Sequence, residues 1–151
     1  MRTLLQSIPV SDPTTALGFD YGGRRIGVAI GNRLANNARP LAVVANNEQG
    51  PDWKQIDTLV REWRPDLLLV GLPLMLDGAE QQMSRAARAF ADALGQRSGL
   101  PVEMIDERSS SREASQRFAA RRANGTAKRK QAASLDAVAA EIIIERWLNG
   151  H

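Results

Sequence analysis

Apolar residues in the first third of the chain come in short runs that read as strands. Residues 16–21 (ALGFDY) are apolar up to Asp20 and predict a buried strand. Gly22-Gly23 then permits a tight turn, and residues 25–31 (RIGVAIG) predict the hairpin partner. A third strand is expected at 38–44 (ARPLAVV), where Pro40 suggests a sheet edge. From residue 52 the period changes. Trp53, Ile56, Leu59, Val60 and Trp63 recur at helical spacing, with Asp52 placed to cap the start and Pro65 to end it. Residues 66–71 (DLLLVG) are apolar without alternation, as in a strand covered on both faces, and the preceding helix makes this a parallel crossover. A second helix is predicted over 80–97, with Met83, Ala87, Phe90 and Leu94 as its buried stripe and Arg85, Arg88 and Arg97 off it. A strand follows at 102–105.

Ser110 and Glu113 have capping-box spacing, so a helix should begin near Ser111 and stop at Gly125. The last helix, 134–148, should bury Leu135, Val138, Ala139, Ile142 and Ile143. The order β-β-β-α-β-α-β-α-α predicts one α/β domain over 16–149. Its five-stranded mixed sheet has three antiparallel strands, then parallel ones, and helices on its faces. Residues 1–15 are expected to form a flexible N-terminal extension, because Pro9 and Pro13 oppose regular structure and the long apolar core of a signal peptide is missing. No apolar stretch approaches transmembrane length, so a membrane role is not expected.

Composition narrows the chemistry. The 151 residues suit one hydrophobic core. There is no cysteine, and the single histidine is His151, so thiolate and imidazole metal sites are not expected. A metal would be held by oxygen, which favours Mg²⁺ or Mn²⁺. The net charge of +3 is modest, so its placement matters more than its size. Arg112, Arg117, Arg121, Arg122, Lys128, Arg129 and Lys130 crowd into one stretch that would suit a phosphate backbone. A solvated helix face is the plainer reading of such a run. Phe118 is the one aromatic there, which does not make a base-stacking platform. Trp53, Trp63 and Trp147 sit among apolar residues and read as core or subunit contacts.

Three acids stand where an acid is costly. Asp20 ends an apolar strand, Glu107 follows another, and Asp136 opens an apolar helix. Each has an ordinary explanation alone: a solvated turn aspartate, a local ion pair with Arg108, a helix-dipole partner. Together they suggest a shared cation, which points to chemistry on phosphate, and the carboxylates would converge at one end of the sheet if the strands that carry Asp20 and Glu107 both lie beside the fourth strand. Val70-Gly71-Leu72-Pro73-Leu74 with Asp77-Gly78 reads as loop-shaping at the same end.

Four motifs carry a resemblance. They are Asp20-x-Gly22-x-Arg24-x-Ile26-Gly27-x-Ala29; Val70-Gly71-Leu72-Pro73-Leu74-x-x-Asp77-Gly78; Asp106-Glu107-Arg108; and Asp136 before an Ala/Ile-rich helix. In this order, over about Leu17 to Leu148, the chain resembles the YqgF family. Its members are also described as RuvC-type Holliday-junction-resolvase-like proteins and as "putative pre-16S rRNA nucleases". Ser109 departs from the apolar residue the family usually has after D-E-R. The resemblance implies a ribonuclease H-like fold and a metal-dependent nuclease for structured nucleic acid, with Asp20, Glu107 and Asp136 as the metal-binding catalytic set. Arg24, Arg25, Arg108, Lys128, Arg129 and Lys130 would hold phosphates. The expected function is 5′-end processing of pre-16S rRNA during ribosome biogenesis in the cytoplasm, by a monomer or homodimer that meets ribosomal particles. The alternatives are a junction-DNA endonuclease of the same chemistry and a non-catalytic RNA-binding assembly factor. An ATP-binding role, suggested by the Asp-x-Gly hairpin, ranks last because such proteins use two domains of this kind.

Overall fold

The structure is a computed structural model that describes residues 14–108, 110–123 and 135–150. Its strands and helices run β1 (Thr15–Tyr21), β2 (Arg25–Asn32), β3 (Asn37–Asn47), β4 (Gly50–Pro51), α1 (Trp53–Trp63), β5 (Leu67–Leu72), α2 (Gln82–Ser98), β6 (Val102–Asp106), α3 (Ser110–Ala123) and α4 (Leu135–Leu148). The sheet order is β4-β3-β2-β1-β5-β6. The three antiparallel strands and the two parallel crossovers are as expected. The sheet has six strands rather than five. The addition, β4, is a two-residue ladder formed where the chain doubles back after β3, pairing Asn46 with Pro51 and Asn47 with Gly50.

β1 begins at Thr15, inside the expected N-terminal extension. The amides of Thr14 and Thr15 donate to the Asp66 carboxylate at 3.1 and 3.0 Å, which fixes the strand's start. Pro40 lies where a proline is tolerated. β3 bulges beside it, because Val28 pairs with Ala42 but Ala29 pairs with Pro40, leaving Leu41 as an extra residue. Asp52 caps α1 by accepting from the Gln55 amide at 3.2 Å. The stop signal for α3, Gly125, falls outside the described residues.

Strand alternation divides the core. Leu17, Phe19, Ile26, Val28, Leu68 and Val70 face α1 and α2, where Phe90 packs against Phe19, Tyr21 and Trp53. Ala16, Ala29, Leu67, Leu69 and Ile105 face α4, where Ile143, Ile144 and Trp147 cover them. α3 then covers the outside of α4 through Ala114, Val138, Ala139 and Ile142. A helix between a sheet and another helix has no solvent stripe. Ala137 through Ile144 are accordingly all buried, whereas Leu135 is only partly so.

α4 lies so close to the sheet that side chains must be missing beneath it. A Cβ on Gly18 would come within 2.8 Å of Ile144 Cγ1, and one on Gly31 within 2.2 Å of Ile144 Cγ2. At Gly27 the obstacle is backbone, since a Cβ would lie 1.8 Å from the carbonyl oxygen of Asp136. These glycines sit on one face of β1 and β2, and they let the helix N-terminus rest on the strand directly across from Asp20. Asp20 and Gly27 are register partners.

Candidate active site

Asp20 continues the face of β1 that carries Ala16 and Gly18, so its side chain points toward α4. Glu107 lies two residues beyond Ile105, on the same face. Its amide donates to the Leu72 carbonyl at 3.1 Å, extending the β5–β6 pairing past the end of β6. The Glu107 side chain is buried at 6 % exposure, and it crosses the place where β5 has a glycine. A Cβ on Gly71 would stand 2.5 Å from Glu107 Oε2 and 2.6 Å from Ile143 Cδ1. Gly71 therefore leaves the volume that the carboxylate fills. β1, β5 and β6 are adjacent and parallel, so Asp20 and Glu107 meet at the carboxyl end of the sheet, where open α/β sheets place ligands.

The acids are electrostatically strained. Burial pushes the Asp20 carboxyl above its ordinary value of 3.8; a hydrogen bond with Glu107 acts in the opposite direction, and the charge of Asp136 adds to the rise. A cation between the two carboxylates would relieve the cost of burial and the repulsion from Asp136. Asp136 stands in the first turn of α4, where the helix dipole favours a negative charge.

Asp136 does not complete a cage with the other two. Its Oδ2 accepts from Arg25 Nε at 2.7 Å, in an ion pair that is half open to solvent. Among the described residues no group of three Asp, Glu, His or Cys side chains is arranged to hold a metal ion. The expectation of three converging carboxylates thus needs correction in its geometry. Asp20 and Glu107 face each other, while Asp136 is near enough to act on Asp20 through its charge but is occupied by Arg25. The donors themselves suit a hard divalent ion, being all carboxylate oxygens.

The basic residues divide. Arg24 is exposed on the β1–β2 turn. Arg25 is engaged with Asp136. Arg108 is folded back on Asp106, with Nε 2.8 Å and Nη2 2.6 Å from Oδ2, and it donates to the Leu76 carbonyl at 3.2 Å. That guanidinium holds the Asp106 carboxyl below its ordinary range. Arg117 is not part of a phosphate-facing surface, because it reaches Glu141 at 3.1 Å and Glu145 at 2.9 Å and joins α3 to α4. Lys128, Arg129 and Lys130 lie outside the described residues. The loop after β5 is shaped as expected, with Asp77 accepting from the Ala79 amide at 2.9 Å.

Sequence reasoning missed the residues that hold the site from behind. Asn46 is buried, and its side chain donates to the Gly22 carbonyl at 2.7 Å while its amide donates to the Arg24 carbonyl at 2.9 Å, so β3 fixes the turn that follows Asp20. Nothing around Asn46 in the sequence marks it. Arg146, which donates to the Asp106 and Arg108 carbonyls, was also missed, although a lone arginine after three isoleucines and a glutamate is a signal that could have been followed.

The sequence profile of the RuvX family, described as Holliday junction resolvase, matches residues 14–150. The chain belongs to the RuvX family. A relative from Xanthomonas oryzae pv. oryzae (strain PXO99A), named "Putative pre-16S rRNA nuclease", is 54% identical over 134 residues, covering 89% of this chain and 86% of the relative. Another with that name, from Xanthomonas campestris pv. campestris (strain B100), is 53% identical over 135 residues, covering 89% and 87%. Among solved structures, RuvC of T. thermophilus in complex with a Holliday junction substrate superposes with a TM-score of 0.52 at 17% identity, covering 90% of this chain and 95% of RuvC. The Fowlpox virus resolvase bound to Holliday junction DNA gives 0.53 at 10% identity, covering 89% and 97%. At these identities the likeness is one of fold, and the fold is ribonuclease H-like. RuvX membership and the names of the relatives make this chain a nuclease, a hydrolase of phosphodiester bonds.

Proposed function

We propose that this RuvX protein is a metal-dependent endonuclease for structured RNA, and that it processes the 5′ end of pre-16S rRNA. The observation that carries the reading is the meeting of half-buried Asp20 and buried Glu107 beside Asp136 at the carboxyl end of the parallel strands. Mg²⁺ or Mn²⁺ held by Asp20, Glu107 and Asp136 would supply a nucleophilic water and neutralise charge on the scissile phosphate. Loading would require Asp136 to leave Arg25. Arg25, once released, stands beside the site with a free guanidinium for phosphate. Arg24 on the same turn, Arg108 and the Lys128–Lys130 segment extend the phosphate contacts.

The names of the relatives support rRNA as the substrate, and processing of pre-16S rRNA would be carried out on ribosomal particles in the cytoplasm. No helix among the described residues is long and apolar enough to cross a membrane. The test is incubation with an RNA spanning the 5′ precursor region of 16S rRNA, with Mn²⁺ or Mg²⁺, beside Asp20→Asn. Cleavage by the wild type alone is expected. Cleavage by both removes Asp20 from the site, and binding without cleavage by either favours an RNA-binding assembly factor. The family description supports a second reading, a nuclease of four-way DNA junctions acting as a homodimer. Competition between junction DNA and precursor RNA separates the two.

A further inference from the structure

Glu107 lies just past the end of β6, where one amide hydrogen bond to Leu72 ties it to β5. β6 ends at Asp106 and α3 begins at Ser110, so the carboxylate hangs on a short connection. One side chain from α4 grips that connection on both sides of Glu107. Arg146 Nη1 donates to the Asp106 carbonyl at 2.7 Å, and Nη2 donates to the Arg108 carbonyl at 2.9 Å. Nη2 also meets the Glu113 carboxylate of α3 at 2.7 Å, which holds the guanidinium from its far side. The Arg146 side chain is 24% exposed, so these bonds are partly shielded from water.

We infer that Arg146 is a positioning residue for the nuclease site, and that it sets where the Glu107 carboxylate stands relative to Asp20. A planar guanidinium with donors in a fixed fork can hold two carbonyls at a set spacing, which the ammonium of lysine cannot do. The carbonyls it holds flank Glu107, so its loss frees the connection on both sides at once. α4 also carries Asp136 at its other end, so one helix fixes two of the three carboxylates: Asp136 directly, and Glu107 through Arg146. This role rests on the reading of Glu107 as a metal-holding carboxylate.

The experiment compares wild type, Arg146→Gln, Arg146→Lys, Glu113→Gln, Glu107→Gln and the double variant of Arg146→Gln with Glu107→Gln. Mn²⁺ binding is read by calorimetry without nucleic acid, and kcat and KM are read on precursor RNA. Arg146→Gln is expected to weaken Mn²⁺ binding by about 10- to 100-fold, the usual effect of removing a group that orients a metal ligand. It should lower kcat more than it raises KM, because Glu107 acts at the scissile phosphate while Arg108 is one of several phosphate contacts. Arg146→Lys should recover only part of the loss. Glu113→Gln, which leaves Arg146 in place but loosens it, should move in the same direction by less; it provides the reading if Arg146→Gln does not fold. Arg146→Gln added to Glu107→Gln should cost nothing further. Unchanged Mn²⁺ affinity and kcat in folded Arg146→Gln overturns the inference while leaving the role of Glu107 standing. Unchanged Mn²⁺ affinity in Glu107→Gln removes Glu107 from the site, and the role of Arg146 with it.

Discussion

Replacing Gly27 by alanine tests whether the close seat of α4 on β2 builds the site. The added Cβ would lie 1.8 Å from the Asp136 carbonyl oxygen, 2.1 Å from its carbonyl carbon and 2.7 Å from the Ala137 nitrogen. Real Cβ atoms essentially never come nearer than 3.0 Å, so the first turn of α4 must retreat by about 1.2 Å. The obstacle is backbone, and no rotamer change can relieve it. Overpacking of this kind costs about 1–3 kcal/mol, which for a domain of this size lowers Tm by about 2–12 °C. The retreat carries Asp136 away from Asp20, and a displacement of about 1 Å at a catalytic group costs on the order of 100-fold in rate. Gly23→Ala is the matched control, because a Cβ there meets nothing within 4 Å. Thermal unfolding and RNA cleavage per folded molecule are the assays. A Gly27→Ala protein with the Tm and rate of the Gly23→Ala control would refute the argument that this contact places Asp136.

Asp20→Asn should stabilise the metal-free protein, and the gain should grow with pH. The folded pKa of Asp20 is raised, so its favourable contribution is complete below its ordinary value of 3.8 and is lost as pH rises through the higher folded value. Melts of both proteins from about pH 4 to 7 check this, and a gain that shrinks with pH contradicts it. Gly71→Ala should leave the fold intact but displace Glu107, whose Oε2 would lie 2.5 Å from the new Cβ. Loss of Mn²⁺ binding with circular dichroism unchanged is expected, and retained binding would show that the carboxylate has another place to go. Arg25→Gln should change stability by less than about 1 kcal/mol, because its ion pair with Asp136 is half exposed. It should strengthen Mn²⁺ binding in calorimetry by removing a competitor for Asp136. Arg117→Met should lower stability by about 1–2 kcal/mol through lost contacts to Glu141 and Glu145, and leave RNA affinity in a filter-binding assay unchanged; weaker binding would return Arg117 to the phosphate surface.

What could be read ahead of the structure depended on whether the information was local. The strand and helix order followed from periodicity, but the adjacency of β1, β5 and β6, which brings Asp20 and Glu107 to one end, was expected only from the resolvase-type order that the resemblance implies; the sheet has that adjacency. β4 was not legible, since a two-residue ladder has no period. The all-round burial of α4 was hidden for another reason: Ile142, Ile143 and Ile144 in succession show that the helix is buried but not that α3 covers its far side. Arginine partners were the least legible of all. A basic cluster in sequence looks like one surface, yet Arg117 turns inward to α4 while Arg25 and Arg108 each fold onto a neighbouring acid.

Those pairings bear on how the site works. Arg25 neutralises the charge of Asp136 without a metal. On the proposed reading, a divalent ion held by all three carboxylates would have to displace that guanidinium. Release of Arg25 would be favoured when a phosphate is present to receive it. Metal and nucleic acid would then bind with positive coupling, each lowering the cost of the other, and by linkage the coupling must be the same in both directions. Mn²⁺ titrated into the wild type with and without a non-cleavable RNA should show tighter binding in its presence, and Arg25→Gln should lose most of that difference. Equal enhancement in both proteins would place the coupling elsewhere than on Arg25.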